Sequence, residues 1–227
     1  DFPFSSGKST YVFNYGIIQK GQKTLQDVDS SVRDEFANLK TAIHVGSFSR
    51  TRGWPQLLLA MSIMRNKDLH LFCYDRVIEG EDTFLSEAHR LGVQDRIHLH
   101  KRLPFDEMFD RLLCADIGLM LYQPGILNHV YAFPMKMYDY MLAGLTFLAP
   151  RFAVEVAPVV QESECGLLVD TSNPEEIAQA LDWLCEHPEL ATTMGQRGRQ
   201  AIFSKYNWDT EAEKLLGLYR DLSLSTL

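Results

Sequence analysis

From residue 41 onward, short apolar runs alternate with longer stretches of helical periodicity. No other feature constrains the fold as much. The runs are "AIHVGS" (42–47), "LHLFCYD" (69–75), "IHLHKRL" (97–103), "IGLMLY" (117–122), "LTFLAP" (145–150) and "GLLVD" (166–170). All but the histidine-bearing third are nearly continuous in apolar residues. That suits strands covered on both faces, as in a parallel sheet. Between them lie "WPQLLLAMSIMRN", with Pro55 near a helix start, and "EDTFLSEAHRLG", ending at Gly92. "PFDEMFDRLLCAD" sets Phe105, Met108, Phe109, Leu112 and Leu113 on one helical stripe. In "NPEEIAQALDWLCEHP", Asn173 can cap a helix, with Pro174 at its first position and glutamates next. Two more helices are expected near 188–203 and 208–222.

Six strands alternating with helices predict an α/β fold: a doubly wound, Rossmann-like parallel sheet with helices on both faces. Such sheets bind ligands beyond the carboxyl ends of their strands, at the switch point. The loops of interest therefore follow Val45, Cys73, His100, Leu121 and Leu148. Residues 1–40 are more polar and weakly periodic. They read as an N-terminal extension or linker, with a short extended piece around Tyr11–Phe13. The folded domain is expected over 41–222, with a tail at 223–227. "GKST" (7–10) looks like the end of a phosphate loop, but Phe2 stands where that motif needs glycine, and no strand can precede it.

A net charge of −8 argues against a nucleic-acid-binding face. Cys73, Cys114, Cys165 and Cys185 form no C-x-x-C pair and lie in apolar stretches, so they read as reduced thiols of a cytoplasmic protein. No run of about 18 apolar residues is present to span a membrane as a helix, and no signal peptide is evident. The first residue is Asp1, so the chain reads as processed or as a piece of something longer.

Two loops carry candidate chemistry. In "HVGSFSRTRGWPQLLLA", Gly46 and Gly53 let backbone approach a ligand, and the helix that follows favours an anion at its N-terminus. Arg50 and Arg52 add fork-shaped donors suited to phosphate. The bland alternative is a glycine-bearing turn with two solvated arginines. In "AFPMKMYDYMLAGLTFLAP", Pro134 can start a helix and Gly144 can stop it. Lys136 then falls in the first turn, where the helix dipole disfavours a cation, and it shares a face with Asp139. An anionic ligand would explain the lysine; a plain ion pair with Asp139 is the alternative. His98 and His100 share one strand face, but no third ligand stands at metal spacing, so no metal site is expected.

Taken in order, these segments resemble the C-terminal domain of GT-B-fold glycosyltransferases of family 4, the glycosyl transferases group 1 type. "VGSFSRTRG" is similar to the family's Gly-Arg-Leu-x-x-x-Lys-Gly loop. "FPMKMYDYMLAGLTFLAP" is similar to the Pro-x-Lys-x-x-Glu-Tyr-x-x-x-Gly-x-Pro stretch of one branch. "GVQDRIHLHKRLPFDEMFDRLLCADIGLMLY", "ECGLLVDTSNPEEIAQAL" and "YNWDTEAEKLLGLYRDL" match other segments, and "YVFNYGII" resembles the interdomain linker. The likeness covers about residues 41–222. It implies one half of a GT-B fold that binds a nucleotide-diphosphate sugar, either a UDP- or a GDP-sugar, as donor. No cofactor or metal is implied.

The resemblance places Arg52 and Lys136 at the diphosphate as the groups assisting catalysis, and Asp139 at the ribose. Gly46, Ser47, Arg50, Gly53, Arg102, Leu103, Tyr122, Pro134 and Met135 are expected around the donor. Three positions depart from the pattern. Ser47 stands for the loop arginine, Tyr131 for the first glutamate of Glu-x7-Glu, and Thr146 for a proline. The expected activity is hexosyl transfer to a glycan or lipid-linked acceptor held by a missing N-terminal domain, so this part alone would bind but not transfer. The expected location is cytoplasmic, and association of a longer protein with the inner membrane face is compatible with the sequence. Two other readings stay open: a non-catalytic nucleotide- or sugar-binding module, and a GT-B relative such as a sugar-nucleotide epimerase.

Overall fold

A computed structural model describes residues 23–224. The Tyr11–Phe13 piece, "GKST", "YVFNYGII" and the end of the tail lie outside them. The six apolar runs form six parallel strands: β1 (Lys40–Val45), β2 (Leu69–Tyr74), β3 (Ile97–His100), β4 (Ile117–Leu119), β5 (Thr146–Pro150) and β6 (Gly166–Val169). Their order is β3-β2-β1-β4-β5-β6, so the switch point lies between β1 and β4. The register pairs Ala42 with Leu71 and Ile117, and Leu119 with Leu148.

Successive residues of each strand point to opposite faces, which is why both faces had to be apolar. Ala42, Leu71, Leu119 and Leu148 pack on one side with α2 (Trp54–Ile63), α3 (Glu81–Arg90) and α8 (Pro174–Glu186). Ile43, Phe72, Met120 and Phe147 pack on the other with α4 (Phe105–Cys114), α6 (Met135–Ala143), α7 (Ala157–Ser163) and α9 (Pro188–Ser204). The chain closes with α10 (Trp208–Leu224). Asn173 caps α8 as expected, its side chain accepting from the N–H groups of Glu175 and Glu176. Phe105, expected on the buried stripe of α4, is 57% exposed, because it is the helix's first residue.

The stretch read as polar linker holds a helix, α1 (Ser30–Phe36). Asp29 caps it by accepting from the Ser31 N–H, and Val32 and Phe36 are buried one turn apart. The Phe36 ring stacks on Phe72 at 4.6 Å. Two other short helices, α5 (Leu127–Tyr131) and α7, also fall outside the periodic stretches. Under α1 the strand histidines are structural. His98 shares a hydrogen bond with His70 at 3.0 Å, and His100 stacks on Tyr74, whose hydroxyl donates to Glu35. Among the described residues no helix is long and apolar enough to cross a membrane.

Candidate functional site

The loop after β1 turns at Gly46, whose φ of 85° suits glycine. Phe48 then pairs with the backbone after β2 before a short 3-10 turn, Arg50–Arg52. Gly53 ends that turn at φ 85° and leads into α2. A Cβ on Gly53 would stand 2.3 Å from the Leu121 carbonyl oxygen. Only glycine lets the β1 loop press against the exit of β4. The contact is sewn by hydrogen bonds. The Gln123 N–H donates to Thr51 O at 2.8 Å, and its side-chain amide donates to Thr171 O at 2.8 Å and Leu121 O at 3.0 Å. The Thr171 hydroxyl donates to Tyr122 O at 2.6 Å.

α6 is held against the same point from below. The Tyr140 hydroxyl donates to Leu119 O at 3.1 Å and lies 3.4 Å from Ile43 O, so one buried side chain bridges β1 and β4. Gly118 makes room: a Cβ there would meet the Tyr140 ring at 2.7 Å. The helix starts after Pro134 and stops at Gly144, whose φ is 74°. With Met137, Tyr140 and Met141 turned inward, Lys136 is left pointing into the switch point.

Lys136 Nζ lies 3.5 Å from His44 Nε2 and 5.5 Å from the centre of the Tyr122 ring. Tyr122 stacks in turn on His129 at 4.6 Å. Lys136 and Asp139 form no direct ion pair among the described residues. Burial, then the Arg52 charge, pulls the Lys136 pKa down to about 7. Burial also pushes Asp139 up to about 6, against the pull of Lys136. His44 is buried, stacked on Phe48 at 3.9 Å, and held well below the ordinary histidine range, first by burial and then by Lys136. Arg52 Nη1 donates to Ser47 O at 2.6 Å and Ser47 Oγ at 2.8 Å. The serine that replaces the expected loop arginine thus orients the neighbouring one.

The structure brings Ser47, Arg52, Tyr122, Lys136 and Asp139 together through these contacts, with Gly46 and Gly53 shaping the β1 loop and Pro134 preceding α6. It turns Arg50 away: its guanidinium lies 4.9 Å over the Trp54 ring, and its N–H donates to Glu79. Arg102 is exposed after β3, and Leu103 packs into the core. Met135, read as donor-facing and as packing, is 45% exposed at the start of α6. Tyr131 is 62% exposed on α5. The reading missed His44, Gln123, His129 and Thr171. His44 had a signal, being the one polar residue between Ala42 and Val45. Among the described residues no three His, Cys, Asp or Glu side chains gather as a metal site.

Arg52 and Lys136 thus meet at the switch point of the parallel sheet with no carboxylate ion-paired to either among the described residues. The glycosyl transferases group 1 family matches residues 27–201. The chain belongs to that family. Among the chain's curated relatives is the D-inositol 3-phosphate glycosyltransferase of Acidothermus cellulolyticus, 28% identical over 131 residues. That match covers 58% of this chain and 27% of the relative. The chain spans about a third or less of the length of the curated relatives it matches. Among solved structures, Anabaena HepE in complex with UDP superposes with a TM-score of 0.70 at 16% identity, covering 89% of this chain and 55% of that one. The C-terminal domain of LpcC from Francisella tularensis superposes with a TM-score of 0.64 at 15% identity, covering 82% of this chain and 99% of that one.

Proposed function

We propose that this chain is the donor-binding half of a family 4, GT-B-fold glycosyltransferase, with residues 41–222 as the binding domain. It holds a nucleotide-diphosphate sugar, UDP- or GDP-linked, and the sugar passes to a glycan or lipid-linked acceptor presented by a second domain. The observation that carries this is the convergence of Lys136 and Arg52 on the switch point without a carboxylate paired to either. The fit to the LpcC C-terminal domain supports the domain assignment, and the UDP in HepE supports the donor class. Tyr122 and Asp139 both lie beside Lys136, and Asp139 suits a ribose hydroxyl.

The chemistry follows from charge. As the bond between sugar and diphosphate lengthens, negative charge grows on the leaving phosphate. Fixed cations stabilise that charge more than they stabilise the intact donor. Arg52, already oriented by Ser47, and Lys136, driven toward its ammonium form by the anion, supply this without a bound metal. Calorimetric titration with UDP and GDP tests the reading. Wild type binds at millimolar concentration or below, and Lys136→Ala binds about ten- to a hundredfold more weakly. Absence of binding by wild type sinks the proposal.

A second reading, a binding module without transfer, is favoured by the exposed Tyr131 where an acid is expected. Release of free nucleotide diphosphate from a donor sugar by the chain joined to its preceding domain decides between the two.

A further inference from the structure

His44 is a polar ring inside an apolar strand, and packing alone does not call for it. Ala42, two residues earlier on the same strand face, is apolar and buried, as is Phe48, on which the ring stacks. The ring is 1% exposed, and its Nδ1 makes no well-formed hydrogen bond, although the backbone of Ser47 and Gly46 lies near the ring. A buried polar atom of that kind is destabilising, so an apolar residue would serve the core better. Its Nε2 is the atom that faces Lys136 Nζ, at 3.5 Å. As an ammonium, lysine carries only donors, so whenever Lys136 is charged the imidazole must accept in this pair. That fixes its proton on Nδ1 and keeps the ring neutral.

Lys136 has an ordinary alternative. Asp139 lies one turn along the same helix, where an ion pair is easily made. The pair is not formed; the ammonium leans to the imidazole and over Tyr122 instead. We propose that His44 is the positioning residue for Lys136. It accepts the lysine's hydrogen bond, keeps Nζ off Asp139, and so aims it at the diphosphate. This rests on the donor-binding reading above and adds to it how the lysine is held.

A consequence follows for protons. The groups facing Lys136 are His44 from β1, Arg52 from the β1 loop, Cys73 from β2, Tyr122 from the β4 exit with His129 behind it, and Asp139 from α6. Arg52 and burial lower the lysine's pKa, and Cys73 and Asp139 only partly offset this. An arriving diphosphate restores the charge, so binding takes up a proton above about pH 7.

The test is calorimetric titration of wild type, His44→Phe and His44→Gln with UDP and with GDP. Each runs from roughly pH 7 to 9, in two buffers of different ionisation enthalpy. Phe keeps the stacking on Phe48 and removes the acceptor; Gln restores one. Expected are proton uptake and falling affinity in wild type as pH rises. His44→Phe should lose about tenfold in affinity with an altered pH profile, and His44→Gln should stay within about threefold of wild type. Wild-type affinity and proton uptake in His44→Phe overturn the proposal. So does equal weakening of both variants when both melt like wild type.

A second measurement needs no variant: the 15N shifts of the His44 ring in the free protein. The Nδ1–H tautomer supports the assignment, and the Nε2–H tautomer overturns it whether or not any nucleotide binds. If wild type binds neither UDP nor GDP, the donor reading itself falls, and the ring shifts still report on the His44–Lys136 contact separately.

Discussion

The two ends of the sheet are built from similar residue types and treat them in opposite ways. At the amino end the polar groups satisfy one another. Asp116 accepts from the Thr41 N–H and hydroxyl at 2.8 Å each, and the Thr41 oxygen accepts from the Asp116 N–H at 3.0 Å. Asp182, 4% exposed, accepts from the N–H groups of Arg65 and Asn66. Lys40 donates to Cys185 O. A hollow of about 320 Å³ lies there too, but Lys40 and Asp116 at its edge are already engaged. At the carboxyl end, Lys136 has no acid partner and Arg52 keeps donors in hand. The acids at the amino end are engaged by backbone donors, whereas the cations at the carboxyl end have no acid engaged with them among the described residues.

That contrast can be broken by substitution. The largest effect is expected for Gly53→Ala, where a left-handed backbone and a 2.3 Å overlap with Leu121 O combine. It should lower unfolding stability by about 4 kcal/mol in urea denaturation and weaken nucleotide binding as well. Asp182→Ala, which removes the acceptor of two part-buried N–H groups at the other end, should cost about 2 kcal/mol by the same measurement and leave UDP or GDP affinity of the folded protein unchanged. Lys136→Met should do the reverse. Binding should fall about ten- to a hundredfold by calorimetry, and the melting temperature should hold or rise, because a half-buried unpaired cation is gone.

Thr41→Val should cost about 1 kcal/mol with binding intact. The smallest effect is a pH slope in the ligand-free protein. A lysine whose folded pKa is about 7, against an ordinary 10.5, binds fewer protons when folded. Its contribution therefore makes the fold more stable as pH rises from about 7 toward 10. Asp139, raised to about 6, acts in the opposite sense, removing stability as pH rises from about 4 to 6. Differential scanning of wild type against Lys136→Met isolates the first slope. A Lys136→Met protein with the same slope as wild type would contradict the assignment.

The sheet was legible because apolar runs report burial on both faces, and all six fell where strands stand. What the runs overstated was length. β3 stops at His100 and β4 at Leu119, and of the apolar residues beyond, Met120 and Leu121 are buried and Leu103 is half-buried without being strand. The helices α1, α5 and α7, of five to seven residues, were not legible. A helix that short is stabilised by what it packs on, as Phe36 does on Phe72, rather than by its own periodicity. In the site, glycines and charges on known loops were readable because their positions follow from the topology. The direction a side chain takes was not. Nothing local distinguishes Arg50, drawn over Trp54, from Arg52, drawn in by Ser47. Gln123 and Thr171 were out of reach because their partners are backbone carbonyls brought near only by the fold.

Gly118 touches no ligand and carries no side chain, yet it sets how high Lys136 stands. Its empty flank is the seat of Tyr140, Tyr140 fixes α6, and α6 carries the lysine one turn above. The three positions form a lever with its fulcrum in the middle of the sheet. A methyl group added at residue 118 would lift the helix at the seat and swing its first turn. Lys136 would then be displaced from beneath the sheet, with Arg52 and Tyr122 still in place.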